Sequence, residues 1–270
     1  MYEEYWGLNQ KPFQNTPDPR FLYYSNQHQE ALSRMLYAIK ERVGAAMLTG
    51  IFGCGKTVLA EAIFDELKKE HYQVASITNP QLEYVDLLRA IVRNLKEIEL
   101  PTKKTEISTD YLHEVLENIL MANYREGKDT VIIVDEAHII QDDQVFNELR
   151  LLLNFHQQNR FLLTLLLFGQ PELRQKIEDN KPFEQRIAIK CYLNALNQEE
   201  TKNYVLHRLK VSRRDAPIFT EEALKTIFDF SGGIPRRINR ICDLGLLTGF
   251  IEKASVVDEI IIKDEIESFT

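Results

Sequence analysis

Apolar residues fall along this chain in two rhythms. Short runs in which nearly every position is apolar predict five strands: AAMLT (45–49), QVASIT (73–78), TVIIVD (130–135), FLLTLLLF (161–168) and IAIKCYL (187–193). Between them lie longer segments with apolar residues every three or four positions, predicting helices over 56–70, 84–95, 111–124 and 145–156. In the last of these, positions 145, 146, 149, 152 and 153 share one face. The polar stretch 96–108, with Pro101, predicts a loop. Strands apolar on both faces, alternating with helices, call for a parallel sheet covered on both sides. After about residue 195 the strand rhythm stops. Helices are expected over 197–211, 220–230 and 235–250, with VVDEIIIKDEIES (256–268) as a fourth element. The opening differs from both, with turn-rich KPFQNTPDPRF (11–21) leading into a helical HQEALSRMLYAIKERV (28–43).

Composition narrows the classes. A 44% hydrophobic content supports a packed core. A net charge of −8 argues against a dedicated nucleic-acid coat or a polybasic membrane binder, while leaving room for a local basic face. Cys54, Cys191 and Cys242 lie far apart and match no metal-ligand spacing, so reduced thiols are expected. The acidic, aromatic start MYEEYWGLNQKPF lacks the features of a signal peptide. The apolar run from Phe161 is about half of what a membrane span needs, so it is read as a buried strand. A soluble, cytoplasmic protein with no membrane span is expected.

Candidate chemistry begins at GIFGCGKT, Gly50–Thr57, which fits G-x-x-x-x-G-K-[ST]. It follows a predicted strand and opens the predicted helix VLAEAIFDEL, as a phosphate loop must. Gly50, Gly53 and Gly55 let the backbone wrap closely around phosphate oxygens, and the helix N-terminus adds partial positive charge. Lys56 is expected to reach the β- and γ-phosphates of ATP, and Thr57 to ligate Mg²⁺ through its hydroxyl. Cys54 and Val58 complete the nucleotide-contacting set, with the Cys54 side chain expected to point away from the phosphates.

The run VIIVDEAHII (131–140) supplies the second element. Asp135 ends a buried strand, at the sheet edge where ligands of α/β proteins bind. It is expected to hold Mg²⁺, and Glu136 to polarise the attacking water. The letters DEAH also spell a helicase box, but such a helicase needs two nucleotide-binding-like domains. Only about 130 residues follow the box, and most of them are helical in pattern. The helicase reading fails on length.

Further segments carry a resemblance. SGGIPRRINRICDLGLL (231–247) resembles the sensor 2 element of AAA+ ATPases, with Arg236 in the place of the arginine that contacts the γ-phosphate and Arg237 and Arg240 beside it. YWGLNQKPFQNTPDPRFLYYSNQHQEAL (5–32), LRLLLNF (149–155), LLLFGQPELRQ (165–175) and FEQRIAIKCYLNAL (183–196) resemble the ExeA/GspA-type members of that superfamily, in the right order over almost the whole chain. The resemblance implies an α/β P-loop fold with a C-terminal helical lid, and ATP hydrolysis that drives oligomer assembly and the remodelling or recruitment of a partner. It implies three parts: an N-terminal extension (1–40) packing near the nucleotide site, a nucleotide-binding core (41–195) and a lid (196–270). It also implies that Gln170 is the sensor 1 residue, and that Arg186, or else Arg174, is an arginine finger acting on a neighbouring subunit of a ring, filament or dimer.

Larger secretion-type members continue into a transmembrane segment and a peptidoglycan-binding domain, neither of which is present in these 270 residues. Short relatives include pilus-biogenesis ATPases and transposition regulators of the TniB and MuB kind. The expected partner is therefore a protein of a secretion, pilus or transposition system. Duplex DNA is a candidate ligand for the basic residues Lys202, His207, Arg208, Lys210, Arg213 and Arg214. A third reading is a nucleotide-dependent switch that hydrolyses slowly and acts as a binding module.

Overall fold

All six residues of strand β1 (Ala45–Gly50) are buried, as befits a strand with neighbours on both sides. The computed structural model, which describes residues 1–69, 71–96 and 108–268, places β1 between two partners in a five-stranded sheet. The other strands are β2 (Tyr72–Ile77), β3 (Asp129–Val134), β6 (Leu163–Gly169) and β7 (Ile187–Leu193), in the order β2-β3-β6-β1-β7. Every pairing is parallel. This is the α/β sheet that the apolar runs predict. All but the two end residues of the expected 96–108 loop lie outside the described residues.

Two compact units make up the chain. One, the sheet unit, comprises 29–50 and 59–193; the other, the helical unit, comprises 1–28, 51–58 and 194–270. In the sheet unit, Ala45, Met47, Ile132, Val134, Leu165 and Leu167 point to one face. They are buried with α4 (Tyr84–Leu95), α5 (Thr109–Arg125), α6 (Asp143–Leu152) and α7 (Pro171–Asp179). The alternate residues Ala46, Leu48, Val131, Ile133, Leu166 and Phe168 are equally inaccessible. Both faces are therefore covered, which is why β1, β3 and β6 read as unbroken apolar text. β7 departs from that pattern: Ala188, Lys190 and Tyr192 are exposed, as an edge strand allows.

The expected helix 145–156 is shorter in the structure. α6 starts earlier, where the Asp142 side chain accepts from the Gln144 N–H at 2.8 Å, and ends at Leu152. The chain then makes a small hairpin of β4 (His156–Gln157) and β5 (Arg160–Phe161). Gln158 and Asn159 both have positive φ, the signature of a two-residue I′ turn. Phe161 thus belongs to the hairpin, and β6 begins at Leu163. α7 and the single turn α8 (Lys181–Glu184) carry too few apolar positions to stand out in the sequence.

The helical unit gathers α9 (Gln198–Val211), α10 (Glu221–Ser231), α11 (Pro235–Ile251) and α12 (Glu259–Glu267) around Val205, Ile227, Ile238, Ile241 and Leu246. The N-terminal segment with its short α1 (Glu3–Trp6) belongs to this core: Tyr2, Trp6, Leu8 and Phe13 are buried in it. Trp6 Nε1 donates to the Leu246 carbonyl at 2.9 Å. Buried Arg208 donates to the carbonyls of Pro12 and Gln14 and to the Tyr204 hydroxyl, with its guanidinium over the Phe21 ring. One side chain thus neutralises backbone acceptors of a segment nearly two hundred residues away.

The α10–α11 connection needs both of its glycines, for different reasons. Gly232 caps α10 in the left-handed region and has open space around it. Gly233 also has positive φ, and a Cβ there would lie 1.8 Å from the Leu196 carbonyl oxygen. We expect Gly232→Ala to cost about 1 kcal/mol in urea denaturation, and Gly233→Ala about 3 kcal/mol or more. Equal costs at the two positions would contradict this packing.

Candidate nucleotide site

The phosphate loop follows the C-terminal end of β1 and runs into α3 (Lys56–Leu67). Gly53 and Gly55 adopt φ of +82° and +102°, which L side chains rarely take. Each is also enclosed. A Cβ at Gly53 would meet Arg236 Cβ at 2.9 Å and Ile234 Cγ2 at 3.1 Å, and one at Gly55 would meet His28 Nε2 at 3.2 Å. Lys56 is 5% exposed, and its ammonium donates to the Ile51 carbonyl at 2.9 Å. Cys54 is buried, with its sulfur 4.0 Å from that ammonium. Thr57 and Val58, on the first turn of α3, are half-buried. A glycine backbone with no room for side chains, leading into a helix N-terminus with a lysine, fits a phosphate chain.

Arg236 reaches the loop from the second residue of α11. Its N–H lies 3.4 Å from the Gly53 carbonyl, and its guanidinium stacks 4.4 Å from the centre of the Phe52 ring. The contact explains how a large aromatic can stand more than half exposed on the loop. Arg237, next along, instead covers the Phe230 ring.

In the sheet unit the acidic pair follows β3. Asp135 is 3% exposed, its N–H continues the ladder to the Ile77 carbonyl at 2.8 Å, and its Oδ1 accepts from the Glu136 N–H at 2.8 Å. Glu136 has φ +52°, an uncommon conformation for a residue with a side chain and one that concentrates at functional sites. A 3₁₀ turn, Ala137–Ile139, follows. Gln170 leaves the end of β6 without capping α7, and its amide nitrogen is 2.9 Å from His138 Nε2. A buried carboxylate such as that of Asp135 is a hard oxygen donor of the kind that suits Mg²⁺.

Arg186 directly precedes β7, so it stands at the N-terminal edge of the parallel sheet, the edge opposite Gly50 and Asp135. It is exposed and 3.4 Å from the Asn154 side-chain oxygen. Arg174 is exposed on α7 and paired with Glu178 of the same helix at 2.7 Å. Of the six residues read as a basic face, Arg208 is withdrawn by its buried contacts. Lys202 is paired with Glu221, and His207 lies half-buried against Tyr23. Arg214 abuts Gly7, leaving Lys210 and Arg213 exposed. The basic text of α9 therefore belongs largely to the fold, because its positive charges face carbonyls, carboxylates and rings.

Residues 17–177 match the family model described as an AAA domain. The chain belongs to that family. It is 38% identical over 253 residues to General secretion pathway protein A of Aeromonas hydrophila, an alignment covering 93% of this chain and 45% of that protein. The chain thus spans about half the length of that relative. Among solved structures, the Aeropyrum pernix ORC2 protein superposes with a TM-score of 0.71 at 18% identity, covering 96% of this chain and 71% of that one. Cdc6p from Pyrobaculum aerophilum gives 0.72 at 16%, covering 91% and 67%. These two likenesses concern the AAA+ fold alone. Among the described residues, no helix is long and apolar enough to cross a membrane.

One loop-shaping residue escaped the sequence reading of this AAA+ chain. His28, near the start of α2 (Asn26–Lys40), is 4% exposed and its Nε2 donates to the Cys54 carbonyl at 3.0 Å. A carbonyl can only accept, so the neutral ring carries its proton on Nε2, and Nδ1 accepts from the Ser25 hydroxyl at 2.7 Å. The Ser25-x-x-His28 spacing was the available signal. Burial pushes the His28 imidazole below its ordinary value of 6.5. The unfolded chain is protonated first, so the stability contribution is whole above about pH 6.5 and is lost as pH falls toward the lower folded value. His207 is shifted the same way, also by burial. We therefore expect the acid-side decline of denaturation free energy to be shallower in His28→Gln than in the wild type. Identical pH profiles would exclude a neutral, buried His28.

Proposed function

We propose that this AAA+ chain binds Mg-ATP and hydrolyses it to drive assembly of a homo-oligomer that remodels or recruits a protein partner, in secretion or pilus biogenesis. The observation that carries the reading is the pair at the end of β3: a buried carboxylate at Asp135 and a neighbouring, partly exposed Glu136 held in left-handed backbone. Gly50, Gly53, Cys54, Gly55 and Val58 would give the nucleotide its backbone contacts, and Lys56 would reach its β- and γ-phosphates. Thr57 and Asp135 would hold Mg²⁺, which would neutralise charge on the phosphate oxygens. Glu136 takes the proton of the attacking water, Gln170 orients that water, and Arg236 follows the γ-phosphate from the lid. Arg186, on the sheet edge away from its own chain's acidic pair, suits a finger acting on a neighbouring subunit. A cytoplasmic setting, where ATP is available, goes with this reading.

The secretion assignment draws on the 38% identity to General secretion pathway protein A, whose name places that protein in a secretion pathway. Steady-state ATP turnover tests the chemistry. Glu136→Gln should retain nucleotide and lose about a hundredfold or more in turnover; unchanged turnover would remove Glu136 from the role. The same assay with duplex DNA at low salt separates the partner classes. Turnover indifferent to DNA is expected here. Strong, salt-sensitive stimulation would transfer the reading to a DNA-dependent transposition regulator.

A further inference from the structure

The last letter of DEAH has no part in the function just described. His138 lies in the middle of the Ala137–Ile139 turn with its side chain only 13% exposed. Its ring stands between two side chains to which that function gives work. Nδ1 is 3.3 Å from Glu136 Oε2, and Nε2 is 2.9 Å from the Gln170 amide nitrogen.

The chemistry of these groups places the imidazole proton. An amide nitrogen donates, so Gln170 is the donor and His138 Nε2 the acceptor. The neutral ring then carries its proton on Nδ1, facing the Glu136 carboxylate. The other tautomer would turn a bare lone pair toward a carboxylate oxygen and set two N–H groups against each other at Gln170. A directed chain results, from Gln170 through His138 to Glu136. Its final link is loose, since the buried Nδ1 has no well-aligned acceptor. A buried donor in that state favours any rotation of Glu136 that improves the bond.

Packing holds the ring's backbone in place. Lys176 on α7 donates to the His138 carbonyl at 2.8 Å and to the Ile140 carbonyl. Gly169 leaves no space, because a Cβ there would meet Leu173 Cδ2 at 2.8 Å and the His138 nitrogen at 3.2 Å. The turn is braced by α7, whose first turn follows Gln170 directly, while the Glu136 side chain is one-third exposed.

We propose that His138 is a positioning residue that links Gln170 to Glu136 and sets the orientation in which Glu136 meets its water. This rests on Glu136 being the base, as proposed above. Two measurements on the full chain test it. In ¹⁵N-histidine NMR, with the His138 signal identified by its loss in His138→Asn, the Nδ1–H tautomer is expected, the minority form of free neutral histidine. A dominant Nε2–H signal would overturn the proposal.

In ATP turnover, His138→Ala should lower kcat by about tenfold or more while KM stays within about twofold. His138→Asn, which keeps a donor near the Nδ1 position, should recover part of the loss. In a Glu136→Gln background, His138→Ala should change nothing further. Thermal unfolding checks that the variants are folded; should the alanine variant fail, the asparagine variant and the NMR signal decide. Wild-type kcat in a folded His138→Ala, with Glu136→Gln inactive, would overturn His138's role and leave Glu136's intact. Full turnover in Glu136→Gln would instead remove the base, and this proposal with it.

Discussion

Crowding around a glycine backbone is the constraint on which the candidate site depends. Gly53 and Gly55 hold φ values that other residues rarely adopt, and the space a side chain would need at each is already filled, by Arg236 and Ile234 on one hand and by His28 on the other. Contacts within the loop, from the Cys54 N–H and the Lys56 ammonium to the Ile51 carbonyl, hold part of its shape. What packs on it holds the rest. Here the packing comes from the N-terminal segment and the start of α11, both of which share a unit with the loop. The same unit anchors that segment at Trp6 and at Arg208, far from the loop in sequence. Ordering of the N-terminal segment, of the α9–α12 core and of the phosphate loop thus belongs to one set of contacts.

The sheet unit solves a different problem. Its central strands are buried on both faces, so their ends are fixed by a rigid interior, and polar residues placed there can be held to tight tolerances. Asp135 continues the ladder of β3 and is nearly inaccessible, which suits a side chain whose task is to stay put. Glu136, one residue on, has left-handed backbone, partial exposure and a loose neighbour in His138. Position in the fold separates the roles proposed for these two adjacent carboxylates more clearly than residue type does.

Much of this was legible in the sequence. The strands β1, β3 and β6 announced themselves because burial on both faces leaves no polar alternation to obscure them, and the phosphate loop because its glycines and lysine sit in the required strand–loop–helix setting. What stayed hidden were features made by tertiary contact. The positive charges on α9 read as a surface, whereas Arg208 is buried against carbonyls of the N-terminal segment, a pairing no local pattern encodes. The hairpin after α6 went unread, its first residue assigned to the preceding helix and Phe161 to the following strand, because Gln158 and Asn159 take positive φ without glycine to mark them. His28 and His138 each join a near neighbour, Ser25 or Glu136, to a partner far along the chain, the Cys54 carbonyl or Gln170. Their importance appears only when those partners are brought to hydrogen-bonding distance.

The central claim is that the crowded glycine loop is where the nucleotide binds. Calorimetric titration of Mg-ATP into the wild type and into Gly55→Ala, with thermal unfolding to confirm that the variant is folded, tests it most directly. A methyl group at Gly55 meets His28 and opposes the backbone conformation at once. Clear binding to the wild type is expected, with a loss of about tenfold or more in affinity for the folded variant. Equal affinity in the two proteins would contradict it, and would place the nucleotide somewhere other than on this loop.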